Sequence, residues 1–168
     1  TMRPDAAARG RARQILAATV QFAYPGVPCV YYGEEAGLSG MADPFNRAPY
    51  PWGNEDGHIL SRYRLLAKAR LENPSMREGL CGFFAPDEDV FAMLRTRDES
   101  CALVLINRSE QAKQVSVRAA DFDTGPDAGS LRIANNLRDV LSGAAAVTRD
   151  GAVHIVLPPL SAALLVNG

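Results

Sequence analysis

The apolar residues of this 168-residue chain change their spacing near Gly79. Before that point, two long segments carry apolar residues at every third or fourth position, as amphipathic helices do. After it, short apolar segments alternate with turn residues, which is typical of antiparallel strands. The two periods belong to different layer architectures, so we predict an α+β chain with one domain over residues 1–79 and another over residues 80–168.

The segment before Gly79 is predicted to contain a helix, a strand, a loop and a second helix. Apolar stripes predict helices over Pro4 to Ala23 and from Gly57 to Glu72. Residues 27–32 are apolar, β-branched or aromatic, which is typical of a parallel strand buried on both faces. Residues 33–57 form a loop rich in Gly, Pro, Asn and Asp, and loops of that length are usually functional or disordered.

The segment after Gly79 is predicted to be all strand and turn. Turn residues separate six short apolar segments, and that arrangement indicates an antiparallel sandwich or barrel. The predicted strands lie around residues 90–95, 102–107, 114–117, 139–141, 153–157 and 162–166.

Charge and reactive side chains restrict the possible partners. The 18 basic residues nearly balance the 19 acidic ones, so a net charge of −1 gives no field that attracts nucleic acid or an anionic membrane. We therefore expect neither partner, and we interpret the early arginines Arg3, Arg9, Arg11 and Arg13 as a solvated helix face. No apolar segment in the sequence is long enough to predict a membrane span.

The cysteines and histidines favour structural roles. Three cysteines, Cys29, Cys81 and Cys101, are an odd number without a Cys-x-x-Cys pair, and two of them lie in apolar segments, which favours buried free thiols in a reducing, cytoplasmic compartment. His58 and His154 are far apart in sequence and too few for a metal site, so we predict that each is structural.

Two motifs in the first segment carry a family resemblance. Residues 25–35, Pro-Gly-Val-Pro-Cys-Val-Tyr-Tyr-Gly-Glu-Glu, resemble the eighth barrel strand of the α-amylase family. Residues 43–52, Asp-Pro-Phe-Asn-Arg-Ala-Pro-Tyr-Pro-Trp, resemble the following loop in the neopullulanase, cyclomaltodextrinase and maltogenic amylase group. Each motif alone is weak evidence, so their order along the chain matters.

The remaining motifs follow in the order of that family. Residues 63–79 resemble the last helix and exit of the barrel, and residues 102–109, 139–143 and 156–162 resemble strands of its C-terminal β-sandwich. The resemblance implies the last helix, strand and helix of a (β/α)8 barrel, followed by a Greek-key sandwich, domain C of amylases. It also implies that the chain is the C-terminal piece of a longer enzyme, and Thr1 in front of Met2 agrees with a truncated chain.

The resemblance implies an activity for that longer enzyme. It would hydrolyse α-1,4 or α-1,6 bonds of maltodextrin, cyclodextrin or pullulan, with retention of configuration and without a cofactor. A transferase of the same family stays open. The family's catalytic Asp, Glu and Asp come from strands four, five and seven, the last after a His, and this chain holds no His-Asp sequence. We therefore predict no catalytic residue here and no hydrolysis by the chain alone.

Asp43 and Arg47 are the candidate substrate-binding residues. Charged groups that make bidentate hydrogen bonds suit a sugar, and the resemblance places both residues at the glycone side of the cleft. The alternative is that they only pair with each other and fix the loop. Trp52 is also chemically apt for gripping a glucan, because aromatic rings bind sugars, but we interpret it as a packing anchor of the same loop.

Glu34 and Glu35 are an acidic pair, and retaining glycosidases work with two carboxylates about 5 Å apart. Adjacent residues on a strand point to opposite faces, so the two cannot act together on one bond. The resemblance implies structural hydrogen bonding for both.

The partial barrel raises a question about partners. One strand and two helices cannot close a barrel, so we expect them either to dock on the sandwich or to pair with a second copy in a homodimer. A different function, a stand-alone glucan-binding or structural β-sandwich, would require an exposed aromatic platform on the sandwich. The aromatics after Gly79 are phenylalanines, which more often lie in a core: Phe83, Phe84, Phe91 and Phe122.

Overall fold

The computed structural model describes residues 4–40, 42–44, 46–123 and 131–167. Within these residues, three helices precede eight strands. The helices are α1 (Pro4–Ala23), α2 (Gly57–Glu72) and α3 (Pro74–Glu78), and a 3₁₀ turn covers Ala119–Asp121. The strands are β1 (Leu80–Asp87), β2 (Val90–Arg97), β3 (Ser100–Asn107), β4 (Lys113–Arg118), β5 (Leu137–Asp139), β6 (Val147–Arg149), β7 (Ala152–Leu157) and β8 (Ser161–Asn167).

Both long helices have the bounds that the sequence predicts. The α1 helix ends just before Pro25 and Gly26, where Gly26 has a φ of 104°. At the start of α2, the Asp56 carboxylate accepts hydrogen bonds from the backbone N–H groups of His58 and Ile59, at 3.0 and 3.2 Å. Such an N-cap satisfies donors that have no partner inside the helix.

The strands form two antiparallel sheets. The larger sheet has the order β1-β2-β3-β8-β5, and the smaller has the order β4-β7-β6. The β6–β7 hairpin turns at Asp150 and Gly151, which have φ values of 50° and 73°. Two consecutive positive φ values define the tight hairpin turn that glycine and aspartate favour.

The central strands of the larger sheet are buried on both faces. Its residues Met93, Val104 and Leu164 pack in one core with Leu16 of α1 and Leu66 of α2. Alternate residues of the same strands, led by Leu94, Leu103, Leu105 and Leu165, face Val117 and Val153 of the smaller sheet in a second core. The helical segment therefore packs on the sandwich, which is one of the two arrangements predicted for it. Pairing with a second copy stays a prediction.

The predicted parallel strand at residues 27–32 is wrong. Residues 27–31 pair with no strand in the described part of the chain, and Val27 and Tyr31 are 92% and 55% exposed. A parallel strand exists only when neighbouring strands satisfy its backbone and cover its side chains. The described residues supply none beside this segment, so an apolar, β-branched sequence is left as an open loop.

Smaller departures occur at the sandwich. The strands β1 and β6 and the helix α3 were not predicted, and β5 ends at Asp139, where the predicted strand begins. The Asp139 carboxylate accepts from the N–H groups of Leu141 and Ser142, each at 3.1 Å. This local hydrogen bonding favours a turn over a continued strand.

Candidate functional site

The loop between α1 and α2 carries most of the tyrosine and tryptophan residues. Four of the five tyrosines and the single tryptophan lie within residues 24–52. Tyr24, Tyr31, Tyr32 and Trp52 are 51%, 55%, 44% and 80% exposed. Several exposed aromatic side chains on one loop indicate a surface that contacts a ligand or another part of a protein, because exposing aromatic rings to water is energetically unfavourable.

Hydrogen bonds from α1 hold the first half of this loop. The Gln14 side-chain amide donates to the Glu34 carbonyl at 2.6 Å, and the Gln21 amide donates to the Cys29 carbonyl at 2.6 Å. Residues 32–37 form consecutive turns around Gly33, whose φ is 82° and whose missing Cβ would lie 2.7 Å from the Leu38 side chain. Glycine is therefore required where the loop reverses.

The second half of the loop is tied to the first by two contacts. The Tyr32 hydroxyl donates to the Ala48 carbonyl at 3.1 Å, and the Asp56 N–H donates to the Ala36 carbonyl at 2.9 Å. The Asp56 carboxylate also pairs with Arg11 of α1 at 3.0 Å. The loop is thus anchored at its base while its aromatic tip stays open.

Asp43 and Arg47 lie together at the surface of the loop. The Arg47 Nε atom is 2.9 Å from an Asp43 carboxylate oxygen, and the side chains are 69% and 62% exposed. The Arg47 N–H also donates to the Pro44 carbonyl at 3.2 Å. The pairing that the sequence left open is present, and the exposed guanidinium and carboxylate atoms still face solvent. Their contact with a glucan stays a prediction.

The interpretation of Trp52 as a packing anchor is wrong. Its side chain is 80% exposed, and its ring contact among the described residues is with Tyr50, at 4.5 Å between centroids and 48° between planes. The Trp52 N–H donates to the Tyr50 carbonyl at 3.0 Å, and the Asn54 N–H donates to the Pro51 carbonyl at 2.8 Å. These local hydrogen bonds make residues 50–54 a compact turn. A packing anchor needs an apolar surface to pack on. Among the described residues, Tyr50 is the only one whose ring contacts Trp52.

Glu34 and Glu35 are half-buried in the turn at residues 32–37, so the strand alternation used to separate them does not apply. One carboxylate oxygen of Glu35 is buried and has no hydrogen-bond partner among the described residues. Burial raises the pKa of Tyr50, and the charges of Glu35 and Glu55 raise it further. Tyr50 therefore keeps its proton at neutral pH and can act as a hydroxyl donor.

A cavity of about 960 Å³ lies between the helices and the sandwich. Its lining is mainly apolar and includes Ile15 of α1 and Ile155 and Leu157 of β7. It also includes both histidines, His58 and His154. The two histidines are thus closer in space than their separation in sequence implied. Among the described residues, no group of three His, Cys, Asp or Glu side chains could hold a metal ion.

The sandwich offers little aromatic surface. Phe84 and Phe122 contact each other edge to face at 5.9 Å, and Phe91 packs with Phe83 at 6.1 Å. Phe83 itself is 37% exposed and contacts Tyr24 at 5.9 Å. In the part of the chain that the structure describes, most of the exposed aromatic surface therefore lies on the loop, and Phe83 is the exposed aromatic residue of the sandwich.

The sequence is similar to segments of several glucan-degrading enzymes, although no protein-family profile matches it. It is 32% identical over 163 residues to an amylopullulanase of Thermoanaerobacter thermohydrosulfuricus, covering 90% of this chain and 10% of that protein. It is 33% identical over 118 residues to an intracellular maltogenic amylase of Bacillus subtilis, covering 67% of this chain and 20% of that protein. The chain thus spans between a tenth and a fifth of these relatives.

Solved structures give the same assignment. The fold matches an Anoxybacillus α-amylase with a TM-score of 0.77 and 26% identity, over 92% of this chain and 32% of that one. It matches a Nostoc punctiforme debranching enzyme with a TM-score of 0.72 and 26% identity, over 93% and 31%. An α-amylase of Geobacillus thermoleovorans, solved with acarbose, shares the fold with a TM-score of 0.75 and 24% identity, over 93% and 33%.

Fold and sequence together define the class: this chain is homologous to a segment of the α-amylase family of glycoside hydrolases. Within that family, its relatives are amylopullulanases, maltogenic amylases and cyclomaltodextrinases. The helices and antiparallel sheets match the part of these enzymes that the sequence motifs indicated, including the β-sandwich. None of the described helices is long and apolar enough to cross a membrane.

Proposed function

We propose that this chain is part of an α-glucan hydrolase that cleaves α-1,4 or α-1,6 glucosidic bonds of maltodextrin, cyclodextrin or pullulan with retention of configuration. The observation that supports this most is the match to glucan-degrading relatives over nine-tenths of the chain. A structural relative bound to acarbose also supports an oligosaccharide ligand. The substrates, the linkage and the retaining mechanism belong to the proposal.

Within that enzyme, we assign Asp43 and Arg47 to glucan contact. Their side chains are exposed on the loop after residues 25–35, the segment that resembles strand eight. In a (β/α)8 barrel the loops that follow the strands form the working face. An exposed guanidinium beside a carboxylate presents donors and acceptors together, which is what neighbouring sugar hydroxyls require.

The chain contains no residue to which we assign a catalytic role, and we propose that it is inactive alone. Retaining hydrolysis needs a nucleophilic carboxylate and a second carboxyl group that protonates the leaving oxygen, about 5 Å apart. The half-buried Glu34 and Glu35 share one turn of the loop, and the family resemblance gives them structural roles. The catalytic carboxylates would come from other parts of the longer enzyme.

The decisive experiment compares this chain with the longer enzyme that contains it, using reducing-sugar release from maltodextrin and pullulan. We expect activity from the longer enzyme and none from the chain. Asp43→Asn and Arg47→Gln in the longer enzyme should lower kcat/KM by about tenfold each, because each loses one charged hydrogen bond of about 1.4 kcal/mol. Hydrolysis by the purified chain would overturn the assignment of its carboxylates.

We also propose a cytoplasmic location. The three cysteines are free in the structure, as a reducing compartment allows. Cys101 is buried as predicted, whereas the prediction of burial is wrong for Cys29, which is exposed. A relative is named as an intracellular maltogenic amylase. Burial raises the pKa values of Cys81 and Cys101, so both thiols stay protonated and unreactive at neutral pH.

A further inference from the structure

We propose that the cavity between the helices and the sandwich binds a single-chain amphipathic carboxylate, whose alkyl chain fills the cavity and whose carboxylate pairs with Arg62. This inference goes beyond the proposed hydrolysis of glucans. The cavity holds about 960 Å³, at the upper end of the range of about 300 to 1,000 Å³ that is usual for small-molecule sites. Its described lining comes from α1, the start of α2 and the sandwich, and not from the loop that carries Asp43 and Arg47.

Two packed layers of the chain form the apolar walls of this cavity. Ala12, Ile15 and Leu16 of α1 lie on the helical side, and Leu157 and Ala163 lie on the sheet side. Both walls continue into a core, since Leu16 belongs to the cluster under the helices, and Leu157 and Ala163 belong to the cluster between the sheets. The space is therefore bounded by contacts within this chain. Such walls favour an alkyl chain, because each methylene that leaves water for them lowers the free energy.

Arg62 of α2 is a half-buried cation in this lining. Its guanidinium donates to the Leu141 carbonyl, and it has no carboxylate partner among the described residues. An arginine keeps its charge at physiological pH, and a partly desolvated charge is stabilised by an ion-pair partner. The remaining N–H groups of its planar fork can hold a carboxylate with two parallel hydrogen bonds. His58, one helical turn earlier on the same face of α2, adds a further possible donor.

Both acidic residues of the lining are already occupied by donors of the chain. Asp56 caps α2 and pairs with Arg11 at 3.0 Å. Asp139 is 6% exposed, and its carboxylate accepts from the N–H groups of Leu141 and Leu164 at 3.1 and 3.0 Å. The charged group of the lining that lacks a counter-charge is therefore a cation, and it complements an anionic ligand.

The combination of apolar walls and one unpaired guanidinium excludes other ligand classes. A sugar would bury hydroxyl groups against walls that offer them few hydrogen-bond partners. An uncharged alkyl chain would leave Arg62 without a counter-charge, and an alkylammonium ion would be repelled by it. A single-chain carboxylate satisfies both the walls and the guanidinium.

The test is isothermal titration calorimetry with decanoate, below its micelle-forming concentration, on this chain and on the longer enzyme that contains it. We expect saturable binding of one decanoate per chain, with a Kd on the order of 100 µM. Decylammonium, which has the same alkyl chain and the opposite charge, should bind at least about tenfold more weakly. Arg62→Met should weaken decanoate binding about tenfold and reduce the preference for the carboxylate.

A second variant tests the cavity without changing Arg62. Ala12→Phe places a ring in the cavity from α1 and should weaken decanoate binding about tenfold or more, because the ring and the alkyl chain compete for the same space. Ala17→Phe is the matched control, since Ala17 is an exposed residue of the same helix outside this lining. It should leave the Kd unchanged. Thermal melting of each variant establishes that the fold is intact.

Four outcomes would overturn the proposal. The first is no saturable decanoate binding to this chain, and the second is equal binding of decylammonium, which would contradict a carboxylate ligand. The third is equal weakening by Ala12→Phe and Ala17→Phe, which would place the decanoate outside the cavity. The fourth is binding to this chain but not to the longer enzyme, because another segment of that enzyme would then cover the cavity. The proposed hydrolysis is tested separately by reducing-sugar release.

Discussion

The side chain of Arg95 joins three parts of the molecule. It is 1% exposed, and its guanidinium donates to the carbonyls of Ala23 at 2.6 Å, Gly79 at 2.9 Å and Leu80 at 3.3 Å. The end of α1, the exit of α3 and the start of β1 therefore all depend on one residue of β2. Burial lowers the pKa of Arg95, but an arginine keeps its charge at any physiological pH.

We expect Arg95→Met to destabilise the chain by about 3 kcal/mol, because three backbone carbonyls, one buried and two part-buried, lose a charged donor at once. The measurement is the free energy of unfolding in urea. Arg97→Met is the matched control, since Arg97 lies two residues further along β2 and its ion pair with Glu78 is solvent-exposed. That pair should contribute less than about 1 kcal/mol. Equal losses for the two variants would contradict the role given to Arg95.

Residue-level signals for turns and caps could be predicted from the sequence, whereas long-range polar partners could not. Asp56 ahead of α2 and the pair Asp150-Gly151 act locally, within two or three residues, so their types alone predict their conformations. Arg95 lies in an apolar strand and bonds carbonyls as far as 72 residues away. No local pattern predicts that contact, and the exposure of Trp52 likewise depends on what is absent around it.

At the level of elements, the β1–β2 hairpin depends on one carboxylate. Asp87 accepts from the N–H groups of Asp89 and Val90 at 2.7 and 2.9 Å, and Lys113 of β4 donates to it at 3.1 Å. These hydrogen bonds, led by the one from Asp89, hold the pKa of Asp87 below its ordinary value of 3.8. The Lys113 contact also links this hairpin to the smaller sheet.

The lowered pKa of Asp87 gives a pH dependence with a definite sign. The charged form is favoured in the folded state, so its stabilisation is fully present above pH 3.8 and is lost as the pH falls through the lower folded pKa. We expect Asp87→Asn to be less stable at neutral pH and to lose less stability on acidification. Urea unfolding between neutral pH and about pH 2 measures both effects.

Asp98→Asn is the control for this prediction, because Asp98 lies in the β2–β3 turn with its side chain 91% exposed. Asparagine tolerates its φ of 52° as aspartate does. If the two variants follow the same pH profile, the hydrogen bonds of Asp87 do not determine its pKa and the assignment is wrong.

The sequence predicts the two long helices correctly but not the strand at residues 27–32, and the difference has a physical cause. The bounds of α1 and α2 follow from their own residues, since a helix satisfies its backbone within one segment. A parallel strand forms its backbone hydrogen bonds with neighbouring strands. Residues 25–35 can therefore match the strand-eight motif and still form no strand in this structure. The motif indicates the family, while the local structure depends on the neighbours that are present.

At the scale of the whole molecule, the two segments divided at Gly79 share one core. Leu66 of α2 is fully buried in the cluster that contains Val104 of β3 and Leu164 of β8. The opposite face of β3 packs into the second cluster through Leu103 and Leu105. One strand thus belongs to both cores, which favours their unfolding together. The division into two domains stays a prediction that unfolding can test.

We expect Leu66→Ala to weaken the sandwich as well as the helices. Removing a fully buried leucine costs about 2 to 5 kcal/mol through lost burial and a residual cavity. If the molecule unfolds as one unit, native-state hydrogen exchange will show the same loss of protection at Tyr63, which neighbours Leu66 in α2, and at Val117 of β4, which lies in the second core. Leu71→Ala, on the same helix but with Leu71 70% exposed, should change neither. Loss of protection confined to α1 and α2 would instead establish two independent domains meeting near Gly79, because the second core would then be stable without the first.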